Sequence, residues 1–298
     1  MKSTLRASLL LAAVLAGAWP AAAAEPAGSL SALSTQPSMN VFRRFSVDRA
    51  KMIEFYGEVL GLKALPSIQL GGGNEMILFG IGTAQVKLQA TPAASQYPGG
   101  DVKAATGLRV FTFFYPDEAT VSARFTAKGY PAPKFAARAG GGRAAMVLDP
   151  QQQWVELVAL PGAPPEAYQR FEVGITAANL EKSRAFYRSF VGLEELPPVV
   201  DPALGATKYP FRHGDTTINV WSFGGTLPAN KSSAGIQYVI SNVETVDAKA
   251  KAESVTIDRP LGLFGQGLRT IWLSDPDGVT NYFAQILPRR PAAAPSTQ

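Results

Sequence analysis

Nucleophilic and metal chemistry usually shows itself through cysteine and histidine, and this sequence has no cysteine and one histidine, His213. A Ser/His/Asp relay needs its histidine at a strand end or helix that can orient it. His213 instead stands in Arg212-His213-Gly214-Asp215, which reads as a hairpin turn with the ring at the surface. No imidazole or thiolate set is therefore available for a zinc or iron centre. Two glycine runs, Gly71-Gly72-Gly73 and Gly140-Gly141-Gly142, lack the Lys-Ser/Thr and following helix of a phosphate loop. Each precedes a strand and reads as a flexible loop. What remains is chemistry by carboxylates, amides and amines. Strand alternation puts Gln85, Lys87 and Gln89 on one face, with Val86 and Leu88 opposite, so Lys87 is an amine that burial could tune.

The elements that position such groups recur along the chain. Phe55-Tyr56-Gly57-Glu58-Val59-Leu60-Gly61-Leu62 returns as Phe186-Tyr187-Arg188-Ser189-Phe190-Val191-Gly192-Leu193, and Phe79-Gly80-Ile81-Gly82-Thr83 aligns with Phe211-Arg212-His213-Gly214-Asp215. Arg143 precedes Asp149-Pro150 as Arg269 precedes Asp275-Pro276. Ordered markers at a nearly constant offset identify a duplicated domain. Within each copy the pattern is strand, helix, then three strands, twice over. Val41–Val47 reads as a strand, and Met52, Tyr56, Val59 and Leu60 give Asp48–Leu60 a helical stripe. Gly61 then sits where a helix end needs positive φ. Asn179–Val191 repeats this, with Asn179 (or Ala178) as its cap and Gly192 as its stop. The second half of each copy opens with a strand at Leu108–Tyr115 or Ile236–Ser241. A helix follows at Glu118–Lys128 or Val243–Ala252, and paired strands close the copy. The total is four βαβββ units, an α+β architecture.

Lys2 and Arg6, the apolar stretch Leu9–Trp19 and the small residues Ala21–Ala24 have the layout of a secretory signal peptide. Cleavage near Ala24/Glu25 would deliver the protein to a Gram-negative periplasm or the medium, with no stable membrane association afterwards. Without cysteine, stability there must come from core packing. Loss of Lys2 and Arg6 leaves 26 basic against 23 acidic residues, dispersed rather than striped, which speaks against nucleic-acid binding. The segments read as a loose leader at 25–38, a first domain at 39–160, a linker at 161–167, a second domain at 168–288 and a disordered tail at 289–298.

Asn179-Leu180-Glu181-Lys182-Ser183-Arg184-Ala185-Phe186-Tyr187, Asp149-Pro150-Gln151-Gln152-Gln153-Trp154-Val155-Glu156-Leu157 and Asp275-Pro276-Asp277-Gly278 resemble the signatures of the vicinal-oxygen-chelate superfamily, the glyoxalase/bleomycin-resistance/extradiol-dioxygenase type. The resemblance implies two tandem domains with curved mixed sheets, each pair of units closing into a cup. It also implies metal ligands, usually two His or Gln and two Glu, at four strand positions. In the first copy those positions fall on Val41, Lys87, Val110 (or Arg109 one residue away) and Glu156. In the second they fall on Glu172, Asn219, Gly235 (or Ile236) and Tyr282. Neither quartet suits a borderline metal, and neither a metal nor a cofactor is expected. A hard cation held by oxygens near Glu172 and Asn219 stays open.

The same positions imply that Lys87 approaches Glu156, either to bind an anionic group or shuttle a proton, or as a structural ion pair. In the second copy, Glu172, Thr176, Asn219, Trp221, Gln237 and Tyr282 would share one concave face and suit a small organic ligand. The alternative is a cup filled by its own polar groups. The expectation is an exported protein that binds a small molecule without the usual metal site. The alternative is a diverged lyase, isomerase or dioxygenase with Glu156 or Glu172 as base or residual ligand. A homo-oligomer is compatible with either.

Overall fold

The computed structural model describes residues 28–71, 74–91, 100–229, 234–265 and 267–288. The segments read as signal peptide and tail lie outside these residues, as do Gly72 and Gly73.

Unit 1 comprises β1 (Asn40–Phe45), α1 (Arg49–Glu54), β2 (Lys63–Gly71), β3 (Asn74–Ile81) and β4 (Ala84–Ala90). Unit 2 comprises β5 (Gly107–Tyr115), α2 (Glu118–Ala127), β6 (Ala136–Ala137), β7 (Arg143–Leu148) and β8 (Trp154–Ala159). Unit 3 comprises β9 (Phe171–Thr176), α3 (Leu180–Ala185), β10 (Glu194–Glu195), β11 (Val199–Asp201), β12 (Ala206–His213) and β13 (Thr216–Trp221). Unit 4 comprises β14 (Ala234–Val239), α4 (Val243–Ala252), β15 (Ile257–Phe264), β16 (Leu268–Ser274) and β17 (Thr280–Ile286).

An Asx side chain starts every one of these helices: Asp48 accepts from the Ala50 amide, Asp117 from Thr120, Asn179 from Lys182 and Asn242 from Thr245. Such a cap is worth about 1 kcal/mol. The repeated Phe-Tyr motif lies in a widened last turn after α1 and α3, where the Leu60 amide reaches back to the Phe55 carbonyl at 2.8 Å. Gly61 and Gly192 then take the expected left-handed backbone, with φ of 76° and 86°. The widened turn aims Tyr56 at Asp149 (2.9 Å) and Tyr187 at Asp275 (2.7 Å). The two repeated motifs thus recur because they touch, joining the halves of each copy. In the first copy Arg43 joins them, donating to Asp149 at 2.8 Å and to the Tyr56 hydroxyl at 3.0 Å.

The sheets run across the copies. One has the order β15-β16-β17-β14-β1-β4-β3-β2, and the other β10-β12-β13-β9-β5-β8-β7-β6 with β11 on β12. β1 pairs antiparallel with β14, and β5 with β9. Unit 1 therefore shares a cup with unit 4, and unit 2 with unit 3. The two curved mixed sheets and the α+β architecture are as expected, whereas the assignment of each copy to its own cup is not. The opening strands form both seams, and β5, β9 and β14 are buried along their whole length, which makes them central strands rather than edges. Val41, Val86 and Leu88 pack beneath Met52, Phe55 and Val59 of unit 1 in a core continuous with that of the other units.

Residues 28–38, expected as a loose leader, are docked. Leu30 is buried, Ser31 donates to the Gly192 carbonyl at 2.6 Å, and the Thr35 amide bonds Val239 at 2.8 Å. This segment also overturns the surface reading of His213. The imidazole is 4% exposed, with Ser34 Oγ 3.2 Å from Nε2 and the Tyr238 ring at its edge. The His213 ring faces the leader, while the turn tip at Gly214 and Asp215 stays exposed.

Candidate functional site

The cup of units 2 and 3 encloses a cavity of about 420 Å³, a size that suits a metabolite-sized molecule. Glu156 on β8 and Glu172 on β9 flank Thr112 of β5 in the strand register, so all three side chains emerge on one face. Thr112 donates to Glu156 at 2.9 Å, and Asn219 donates to Glu172 at 2.8 Å. Arg138 spans the two carboxylates, 3.7 Å from each. Arg170 holds Glu172 at 3.1 Å from the other side. Lys208 lies 4.0 Å from Glu156 and 2.7 Å from Asp201. Burial pushes the Asp201 carboxyl upward, but Lys208 and the Leu204 amide outweigh it and hold the group below its usual range.

Apolar wall comes from Val110, Ala136, Ala137, Met146, Trp154 and Trp221. Trp221 lies across Gly174, where a Cβ would fall 2.0 Å from the indole. Its Nε1 donates to Thr176, whose hydroxyl donates in turn to the Val102 carbonyl. Arg138 owes its position to the Gly140–Gly142 run. All three glycines have positive φ, and the turn closes with Gly141 donating to the Arg138 carbonyl and Arg138 to that of Gly142. What read as a flexible loop is a tight turn that only glycine fills easily.

The expected site residues divide between two cups. Glu156, Glu172, Thr176, Asn219 and Trp221 belong to the cup of units 2 and 3. Glu156, Asn219 and Trp221 line its cavity, while Glu172 and Thr176 brace the latter two from behind. Gln237 and Tyr282 lie on β14 and β17, in the other sheet, and do not join them. Lys87 does not approach Glu156 either. It reaches across β1 to Gln237 Oε1 at 2.5 Å, and burial lowers its ammonium to about 8. The physical reason is common to all three: alternation fixes the face of a strand but not the strand beside it.

The cup of units 1 and 4 is lined with aromatic rings. Trp272 and Tyr282 stack with centroids 4.7 Å apart, and Phe42 tilts against Tyr282 at 5.8 Å. Among the described residues, no group of three or more His, Cys, Asp or Glu side chains could hold a metal ion in either cup.

The sequence model of the Glyoxalase/Bleomycin resistance protein/Dioxygenase superfamily matches residues 38–157 and 170–283, most of the chain and both copies. The chain belongs to this superfamily. Glyoxalase I from Zea mays is similar in structure, with a TM-score of 0.67 at 20% identity over 86% of this chain and 94% of that one. A putative dioxygenase from Bacillus subtilis is similar at a TM-score of 0.64 and 15% identity, covering 86% and 87%. At these identities the likeness extends to the fold alone. Among curated proteins none matches the sequence.

Within the superfamily fold, sequence reasoning missed Arg138, Lys208, Thr112 and Gly174. Lys208 sits on a strand with Lys208 and Pro210 on one face, and Pro210 pairs with Asn219, so alternation could have found it. Gly174, a lone glycine inside an apolar strand, was a signal for close approach by a neighbour. Arg138 carried no signal apart from its adjacency to the glycine run.

Proposed function

We propose that the protein is exported and binds a small organic molecule in the cup of units 2 and 3 without a metal. The observation that carries this reading is the Arg138 guanidinium set between Glu156 and Glu172. A cationic side chain takes the room a divalent ion would need, and the remaining donors, Thr112 and Asn219, are already bonded to the carboxylates. The donor set does not fit a bound metal. In the other cup Lys87 has the corresponding effect.

The cavity supports a ligand with an apolar body, seated on Trp221, Trp154 and Met146, and an acidic group. Lys103 and Lys134 line its mouth, and neither makes an ion pair among the described residues. Export rests on the n-region, apolar stretch and Ala-x-Ala end of residues 1–24. A thermal-shift screen of the purified protein against organic acids, aromatic metabolites and antibiotics tests the binding reading. A hit should raise the melting midpoint and lose most of that effect in Lys103→Ala/Lys134→Ala. A screen of several hundred such compounds with no shift argues against it.

A second reading, a diverged enzyme, is favoured by Glu156 itself. Its side chain is 10% exposed at the cavity wall and accepts a close bond from Thr112, with the cations further off. Such a group can take a proton from a bound substrate. Glu156→Gln separates the two readings: an enzyme loses turnover of its substrate, while a binding protein keeps most of its affinity.

A further inference from the structure

Lys87 stands on β4 beside Phe42, its register partner on β1, and both face the cup of units 1 and 4. The ring of Phe42 lies across Gly235, where a Cβ would come within 2.5 Å of it. Phe42, Tyr282, Ala284 and Trp272 form an apolar cluster separate from the main core. The cluster therefore furnishes this cup rather than the helix-packed side of the sheet.

The ammonium of Lys87 makes one close bond, to Gln237 Oε1, whose oxygen is shared with the Asn40 amide at 2.9 Å. Desolvation is the sole cause acting on it, with no charge partner among the described residues. A buried ammonium without a counter-ion costs stability, and desolvation of this kind is one way a lysine becomes a nucleophile. Lys87 and Tyr282 are buried but not sealed, at 8% and 7% exposure.

We propose that Lys87 is a nucleophilic amine that captures small aldehydes, preferentially aromatic or conjugated ones, against the Phe42–Tyr282–Trp272 wall. The neutral amine adds its nitrogen lone pair to the carbonyl carbon, giving a carbinolamine. Loss of water, made of the carbonyl oxygen and the two amine hydrogens, leaves the imine, with no change of oxidation state. A water-poor aromatic setting favours the condensation, and an aromatic aldehyde gains ring contacts that an aliphatic one does not. Gln237, held by Asn40, is a positioning residue that aims the amine. The site lies in the other sheet from the proposed binding cavity and does not depend on it.

The test uses benzaldehyde. The purified protein is incubated with it at neutral pH, reduced with cyanoborohydride, digested and mapped by mass spectrometry. Lys87 should carry the benzyl group at a concentration at least about tenfold below that needed for the exposed Lys51 and Lys182. Lys87→Arg should lose that label while keeping its melting midpoint to within a few degrees. Wild-type mapping decides the matter even if the variant folds poorly. Benzylation that spares Lys87, or that reaches it no sooner than Lys51 and Lys182, overturns the proposal.

Discussion

The Tyr187 hydroxyl donates to Asp275 across 2.7 Å, repeating the Tyr56–Asp149 bond without the arginine that completes the first. Arg43 gives Asp149 a counter-charge at 2.8 Å. Asp275 has none among the described residues and lies near Asp277. Burial first, and the Asp277 charge second, raise its carboxyl to about 7.

The pH dependence of stability follows from that difference. The folded protein holds the Asp275 proton more tightly than the unfolded chain, so its contribution is full below about pH 4 and is lost as pH rises to about 7. The loss has an upper bound of roughly 4 kcal/mol. In thermal melts from pH 4 to 8, the advantage of wild type over Asp275→Asn should shrink as pH rises. A difference flat across that range would contradict the account.

Lys87→Met should stabilise the fold. The ammonium is lowered to about 8 by burial, so its cost is full below pH 8 and fades as pH climbs toward the ordinary lysine value of about 10.4. The gain should be about 1–3 kcal/mol at pH 7 by denaturant unfolding and much smaller at pH 10. Equal gains at both pH values would point to packing instead.

Arg138→Ala leaves Glu156 and Glu172 facing each other without the guanidinium between them. The expected cost is about 1–3 kcal/mol, moderated because the charges are not fully buried. The same variant should acquire affinity for a hard divalent cation, since two carboxylates with Asn219 and Thr112 nearby make an oxygen site. Millimolar manganese or magnesium should then raise the midpoint of the variant and leave wild type unmoved.

Gly174→Ala places a methyl 2.0 Å from the Trp221 ring. The indole must leave its seat, breaking the bond to Thr176 and reshaping the cavity wall. A loss of about 2–4 kcal/mol should accompany a red shift in tryptophan emission and weaker binding of any ligand found for that cup. Unchanged emission would mean that Trp221 is not packed as described.

Local features were legible in the sequence where one residue suffices to cause them. Asn179 capped its helix, Gly61 and Gly192 ended theirs, and the Phe-Tyr and Asp-Pro motifs marked both copies and the superfamily. Alternation put Lys87 on one face with Gln85 and Gln89, and the family resemblance made that face, and those of Gln237 and Glu156, the ones turned to a cup. What it could not give was the neighbour. β1 presents a similar apolar pattern to β5 and to β14, so nothing in it says that Asn40 lies opposite Gln237. The partition of the candidate residues followed from that seam. Arg138 was illegible for another reason: its place depends on three left-handed glycines downstream, a backbone geometry with several outcomes from sequence alone.

The cross-copy seams also give the chain a closing order. Units 2 and 3 follow each other directly and can complete their sheet as soon as both are available. Units 1 and 4 enclose them like an outer pair of parentheses, with Asn40 bonded to Gln237, 197 positions further along the chain. Long loops of this kind close slowly. Until they do, β1 and β14 each carry an unsatisfied edge ready to pair with another molecule. Shortening the protein from either end should therefore have the same result, an intact inner sheet flanked by a sticky orphan strand.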